Sequence, residues 1–370
     1  MKGLVKILIV LVVAFMLLGA IMVFTASGTY SITKFNSIYY LFKSHLWKVI
    51  AAGFLFWIFA HVPYDLYRKY SKPLLIGIIV VLILTYFFAP KVKGASRWID
   101  LGFIQFQPSE AAKLILTMHL AMMIEKFDTK IAEFKEGFGF TLIWIIVISA
   151  LVLIQPNVST SLIIGVTGFT LLYVGGARLK HIAFTFITAF GFASIGIMIF
   201  KHSRERVLSY FQSLSTGNDI NIQVTQAKIA LGSGGWLGVG LGHSRQSDLF
   251  LPESYGDFIF SILGEEIGFL GAISILFCYL TLFVICLIIA KKAQDKFGQL
   301  LVFGLGFNIL VSAFINAGVV TGLLPTTGIT LPFISFGGTS IILFAVSTGI
   351  IVNVATESLK TEGLRIAQVG

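Results

Sequence analysis

The chain has 370 residues, of which 56% are hydrophobic and only 12% charged, with a formal net charge of +10. Soluble domains carry about 25% charged residues, and a water-soluble fold could not hide this much apolar surface. A soluble enzyme, a disordered chain and a disulfide scaffold are therefore excluded, and the long apolar runs, which lack alternation, also exclude a transmembrane β-barrel.

What remains is an all-α integral membrane protein. Spans of roughly 17–25 residues cross the hydrocarbon. About ten are expected, near 4–26, 46–63, 73–90, 108–125, 138–155, 158–176, 182–200, 259–290, 298–322 and 331–356. The apolar start, Ile7 to Phe24, is too long for a signal-peptide core and reads as a retained first span. The eighth span is too long to be straight or wholly buried. Residues 1–370 read as a single polytopic membrane domain, with 201–257 as a long extracytoplasmic loop between spans 7 and 8.

The basic residues read as topology markers rather than a nucleic-acid footprint, because no basic and aromatic cluster tracks a phosphate backbone. With the N-terminus inside, fifteen lysines and arginines fall in inner segments and eleven in outer ones. Five of the eleven (Lys201, Arg204, Arg206, Lys228 and Arg245) lie in the one long loop, which counts little. The other six are Lys34, Lys43, Lys48, Lys91, Lys93 and Arg97. Fifteen against six places both termini in the cytoplasm. Segments 91–107, 201–257 and 325–332 then share the outer face. Cys278 and Cys286 lie in one apolar run, cannot pair within one helix, and are too few for a structural metal.

Ionisable groups in or beside a span are functional candidates by default. The first set is Gln107-Pro-Ser-Glu-Ala-Ala-Lys113, where Pro108 suits a first helical turn. Glu110 and Lys113 share a helix face and can pair, either simply neutralising each other or shaping a polar cavity. The second is Leu251-Pro-Glu-Ser-Tyr-Gly-Asp257-Phe-Ile-Phe260, which puts a carboxylate where the long loop meets an apolar helix. Partial desolvation would make Asp257 a useful base; as an alternative, Asp257 caps the eighth helix. Glu253 is a weaker candidate. Of Glu265 and Glu266, within the same helix, at least one should meet a polar partner. The third set is Arg97, Arg204 and Arg206, suited either to phosphate oxygens or to lipid headgroups. Gly232-Ser-Gly-Gly-Trp-Leu-Gly-Val-Gly-Leu-Gly242 follows no strand, so tight turns or a re-entrant segment are expected rather than a nucleotide loop. Gly337-Gly338, after Ser335, allows close helix packing or marks a break in the tenth span.

These motifs, with Gly264-Glu-Glu266 and Gly322-Leu-Leu-Pro-Thr-Thr-Gly-Ile-Thr-Leu-Pro-Phe-Ile-Ser-Phe-Gly-Gly338, resemble the SEDS family (shape, elongation, division, sporulation) in the same order over nearly the whole chain. Thr330 before Leu331-Pro332, and Gly240-Leu-Gly242-His-Ser, look more like the division branch than the elongation branch. The resemblance implies ten transmembrane helices and a peptidoglycan glycosyltransferase in the bacterial cytoplasmic membrane. Such an enzyme polymerises lipid II, a disaccharide-pentapeptide on undecaprenyl diphosphate, at the outer face. It implies Asp257 as the essential aspartate and Glu110 and Lys113 as a cavity pair. The chemistry of that reaction then makes Asp257 the base, with Arg97, Arg204, Arg206, Glu253 and Ser335 as substrate-binding or cavity residues. Lys113 is an alternative diphosphate contact. The resemblance implies a class B penicillin-binding protein and division proteins as partners, with membrane lipid and no nucleic acid. No resident cofactor or metal site is read, although a divalent cation could screen the diphosphate. The chain departs from the family pattern at Gly256, commonly threonine, at Asn157, often aspartate, and at Thr327, in some members lysine. A lipid II flippase and a partner-recruiting scaffold are the competing readings.

Overall fold

Apolar runs become helices because lipid offers no partner to backbone N–H and C=O groups, so each span must satisfy its own. The computed structural model describes residues 1–90, 96–100, 102, 105–199, 201–216, 221–248 and 250–369; Lys91 and Lys93 lie outside them. Twelve α-helices occur in the described residues: α1 Lys2–Phe35, α2 Tyr40–His61, α3 Asp65–Phe88, α4 Pro108–Phe127, α5 Gly139–Ile154, α6 Val158–Val174, α7 Leu179–Ile199, α8 Lys201–Thr216, α9 Ile222–Ser233, α10 Ile259–Lys292, α11 Lys296–Val320 and α12 Ser340–Val369. A two-stranded ribbon pairs Ile99 with Phe106 and Asp100 with Gln105. Seven helical segments are long and apolar enough to cross a membrane. The apolar α6 and α7 are shorter in their described parts, and α4 carries four charged residues. With these three the expected set of ten is complete, and the chain has an all-α membrane fold.

The helix ends follow local chemistry. Pro108 opens α4, where a missing N–H is harmless. Asn157, Asn221 and Asp295 cap α6, α9 and α11 by accepting backbone N–H bonds. On the face carrying the chain termini, Arg68 pairs with Asp65, Glu125 and Asp295, which ties α3, α4 and α11 together. Asn353 of α12 donates to Ala60 O at 3.1 Å and accepts from Tyr64 N at 3.0 Å. The opposite face carries the functional candidates.

Three expected spans differ from the observed helices. First, α1 continues to Phe35 rather than ending near 26, because the long loop covers its polar last turns. Thr29 donates to Asp248 at 2.6 Å, and Ala26 O accepts from Ser254 at 3.1 Å. Second, α10 is broken at Gly268 (φ 73°, ψ −178°). There the glycine run supplies a backbone partner: Val239 N and Gly240 N donate to Glu265 O and Glu266 O, both at 3.0 Å, and Phe269 N donates to Gly235 O at 2.9 Å. A Cβ on Gly234, Gly238 or Gly268 would collide with the opposing main chain. The expected re-entrant packing of the glycine run is thus seen as backbone inserted against a broken helix. Third, residues 331–339 form an irregular turn, and the last helix starts only at Ser340. Gly338 permits this, since a Cβ there would lie 2.5 Å from Gln105 O.

Candidate functional site

The described residues of 201–257 include two helices, α8 and α9. Helix α8 puts Arg206, Ser209, Tyr210 and Ser213 on one face, against α9 and the turn after α11. Leu208 and Phe211 point the other way and are exposed. A cleft of about 100 Å³ opens between these elements, lined among others by Arg206, Tyr210, Asn221, Lys228, Pro325 and Thr326. Tyr210 donates to Leu323 O at 2.8 Å, and Arg206 donates to Thr326 O at 3.3 Å. Lys228 lies over Gly322, whose missing side chain leaves room for the lysine stem.

The Asp257 carboxylate is close enough to Arg206 to act on its guanidinium. The carboxylate also faces Gly328, where a Cβ would sit 3.3 Å from Oδ2. The backbone of Asp257 is held from below: Asn316 Nδ2 donates to Asp257 O and to Ile329 O, both at 2.7 Å. Asp257 does not cap α10. The cap position is Phe258, without a side-chain bond, and Ser261 N bonds Phe258 O instead.

Arg97 approaches from the α3–α4 connection. It donates to Gln155 O at 3.2 Å and to Pro156 O, which pins it to the turn between α5 and α6. At the start of α6, Ser159 donates to Thr327 O at 3.0 Å, next to the cleft-lining Thr326. Burial, and then the charge of Arg206, pull the Arg97 guanidinium down to about 10. Burial also lowers Arg206, while Asp257 acts in the opposite sense. Both arginines remain cationic at neutral pH, held close together at the desolvation cost that an anionic ligand would relieve.

The remaining candidates divide. Arg204 is exposed, bonds Met198 O at 3.4 Å, and points away from the cleft. Glu110 and Lys113 form a buried ion pair at 2.9 Å, with Lys113 only 6% exposed. That pair lines a separate small cavity with Asn308, Phe344 and Ser347. Glu253 is half-buried at φ 59°, its carbonyl accepting from Gly256 N and Phe258 N. Ser335 is buried inside the 331–335 turn, where its hydroxyl accepts from Leu331 N at 2.7 Å. Glu265 and Glu266 both find partners, as expected for at least one. Glu265 accepts from Ser233, Ser244, Arg245 N and Gln246 N, and Glu266 accepts from Thr25 at 3.0 Å. Sequence reasoning missed Lys228, Tyr210 and Asn316, since each gains its position only through tertiary packing. Among the described residues no group of three or more His, Cys, Asp or Glu is placed to hold a metal ion.

Span-length apolar helices, with a basic cleft and the Asp257 carboxylate at the loop-bearing face, define a polytopic membrane protein. The chain belongs to the cell cycle protein family FTSW_RODA_SPOVE, whose model matches residues 5–360. A Geobacter metallireducens protein named "Probable peptidoglycan glycosyltransferase FtsW" is 34% identical over 353 residues, covering 95% of this chain and 94% of that protein. The protein of the same name from Wigglesworthia glossinidia brevipalpis is 36% identical over 94% of this chain and 92% of its own length. Stage V sporulation protein E of Bacillus subtilis is 33% identical over 95% and 96%. The fold matches a chain of a peptidoglycan synthase complex that coordinates polymerization and crosslinking, with a TM-score of 0.77, 22% identity and coverage of 95% and 97%. It also matches the rod shape determining protein RodA of Thermus thermophilus, with a TM-score of 0.69, 22% identity and coverage of 95% and 96%.

Proposed function

We propose that the chain is a peptidoglycan glycosyltransferase of the division branch, polymerising lipid II at the outer face of the bacterial cytoplasmic membrane. In this reading both termini are cytoplasmic, 201–257 is extracytoplasmic within one polytopic domain, and a class B penicillin-binding protein is the crosslinking partner. The observation that carries it is Arg206, which lines the basic cleft and interacts electrostatically with both Asp257 and Arg97.

The reaction joins a sugar hydroxyl to an anomeric carbon whose leaving group is a lipid diphosphate. Asp257 takes the hydroxyl proton as the oxygen attacks, and the diphosphate departs with the bonding electron pair. Arg97, Arg206 and Lys228 supply positive charge where negative charge develops, which is the usual largest source of rate enhancement. An α-linked donor giving a β-1,4 product is an inversion, so one carboxylate base suffices and no covalent glycosyl intermediate forms. Arg204 is left to lipid headgroups, and Glu110 with Lys113 to the interior of the bundle. The test is Asp257→Asn in purified protein given lipid II, with and without the penicillin-binding partner. Polymer formation should be lost in both arms. Unchanged polymer would sink the base assignment, and continued translocation of labelled lipid II in vesicles without polymer from the parent protein would favour transport.

A further inference from the structure

Lys48 counts, from its place in the sequence, as one more basic residue near the membrane surface. The structure buries it instead, at 8% exposure in the first half of α2. Its ammonium lies 3.8 Å from the centroid of the Phe336 ring. Among the described residues no acidic side chain pairs with it. His45, three residues earlier on the same helix face, is fully buried, has no partner for either ring nitrogen, and has its ring 5.9 Å from Phe336.

Phe336 links this pair to the site. Its N–H donates to Tyr255 O at 2.9 Å, and its ring meets Tyr255 edge-on at 5.6 Å. Tyr255 lies two residues before Asp257, and its ring also meets Tyr30 of α1, tilted at 44° with centroids 5.2 Å apart. The backbone entering Asp257 is therefore seated on two supports. Asn316 holds its carbonyl from below, and the Phe336–Tyr255 contact holds it from the α2 side.

A ring face attracts an ammonium, but more weakly than water solvates it. Lys48 thus sits at a net cost to stability, in a place where methionine would pack as well. A costly ionisable group inside a membrane helix points to function rather than to folding. We propose that Lys48 is a positioning residue for glycosyl transfer: its ammonium fixes the Phe336 ring, and through that ring the Tyr255–Asp257 backbone. The proposal rests on the assignment of Asp257 as the base.

The experiment compares Lys48→Met, Lys48→Arg, Phe336→Leu and Asp257→Asn in the full-length protein, with lipid II as substrate and the penicillin-binding partner present throughout. Lys48→Met should lower kcat by about 10- to 100-fold, the scale of a small misplacement, with KM unchanged and with thermal stability equal to or above the parent's. Lys48→Arg should restore most of kcat, and Phe336→Leu should reproduce the loss with Lys48 still present. Parental kcat in Lys48→Met would overturn the proposal. So would a loss accompanied by failure to fold, or one that arginine does not rescue, because the lysine would then serve packing alone. Activity in Asp257→Asn would instead overturn the base assignment, whatever the Lys48 pair shows.

Discussion

The carboxylate of Glu265 holds the long loop in place, and removing it should release that loop. Glu265 is 2% exposed and accepts four hydrogen bonds: from Ser244 Oγ at 2.5 Å, Ser233 Oγ at 3.2 Å, Arg245 N at 3.2 Å and Gln246 N at 3.4 Å. Bonds to a charged acceptor contribute about 1.5–3 kcal/mol each. In Glu265→Ala the two hydroxyls can turn to other acceptors, but the two backbone N–H groups cannot. Counting only those two, and discounting the longest bond, gives a loss of roughly 3 kcal/mol in the closure of residues 233–247. Since 1.4 kcal/mol is tenfold in an equilibrium constant, the open population should rise about 100-fold. Arg245 is exposed, flanks the caged Ser244, and offers a tryptic site. Cleavage after Arg245 in detergent-solubilised protein should accelerate by about that factor, with the helical content unchanged. A change below about fivefold, which is about 1 kcal/mol, would refute the view that this carboxylate is what holds the loop.

Other outcomes follow from the same structure. Gly268→Ala puts a Cβ into the main chain of Gly238 at φ 73°, so it should cost about 3 kcal/mol or more and lower the folded yield measured by size-exclusion chromatography. Arg97, pulled down to about 10, keeps its charge throughout the neutral range. Because a depressed base is penalised only while charged, its burial cost applies below about pH 10 and fades above it. Binding of sulfate, whose charge is constant over this range, should therefore be flat from about pH 6 to 9 and fall beyond about 10, a limb that Arg97→Gln should weaken. Lys296→Ala breaks the Asp128–Lys296 pair, whose carboxylate is held below its usual range first by the lysine hydrogen bond. The pair is exposed, so the melting temperature should barely move.

The membrane class and the number of spans were legible because both depend only on apolar length. Helix ends were not. The polar stretch Ser27–Phe35 reads as a loop and is helical, with Asp248 and Ser254 bonded to this end of α1. The excess length of the eighth span was visible, but the break at Gly268 depends on a glycine run some thirty residues earlier in the chain. Within the site, Arg97, Arg206 and Asp257 could be assigned to one face from topology. Arg204 could not be separated from Arg206 while 201–216 passed for a loop. Once that stretch is a helix, residues two apart must point in different directions, and one of the two arginines has to leave the cleft. Lys228, Asn316 and Lys48 carry no local signature, since each is defined by a neighbour distant in sequence.

The break in α10 has a mechanical meaning. Residues 269–292 are the apolar, span-length part of α10, and the tilt of such a span responds to bilayer thickness as well as to its packing. The segment before the break is bonded, backbone to backbone, to residues 235–240, and Glu265 within it grips residues 244–246. A change of tilt therefore does not stop at the lipid surface. It travels through Gly268 into the segment that begins just after Asp257, so bilayer thickness bears on the carboxylate proposed as the base.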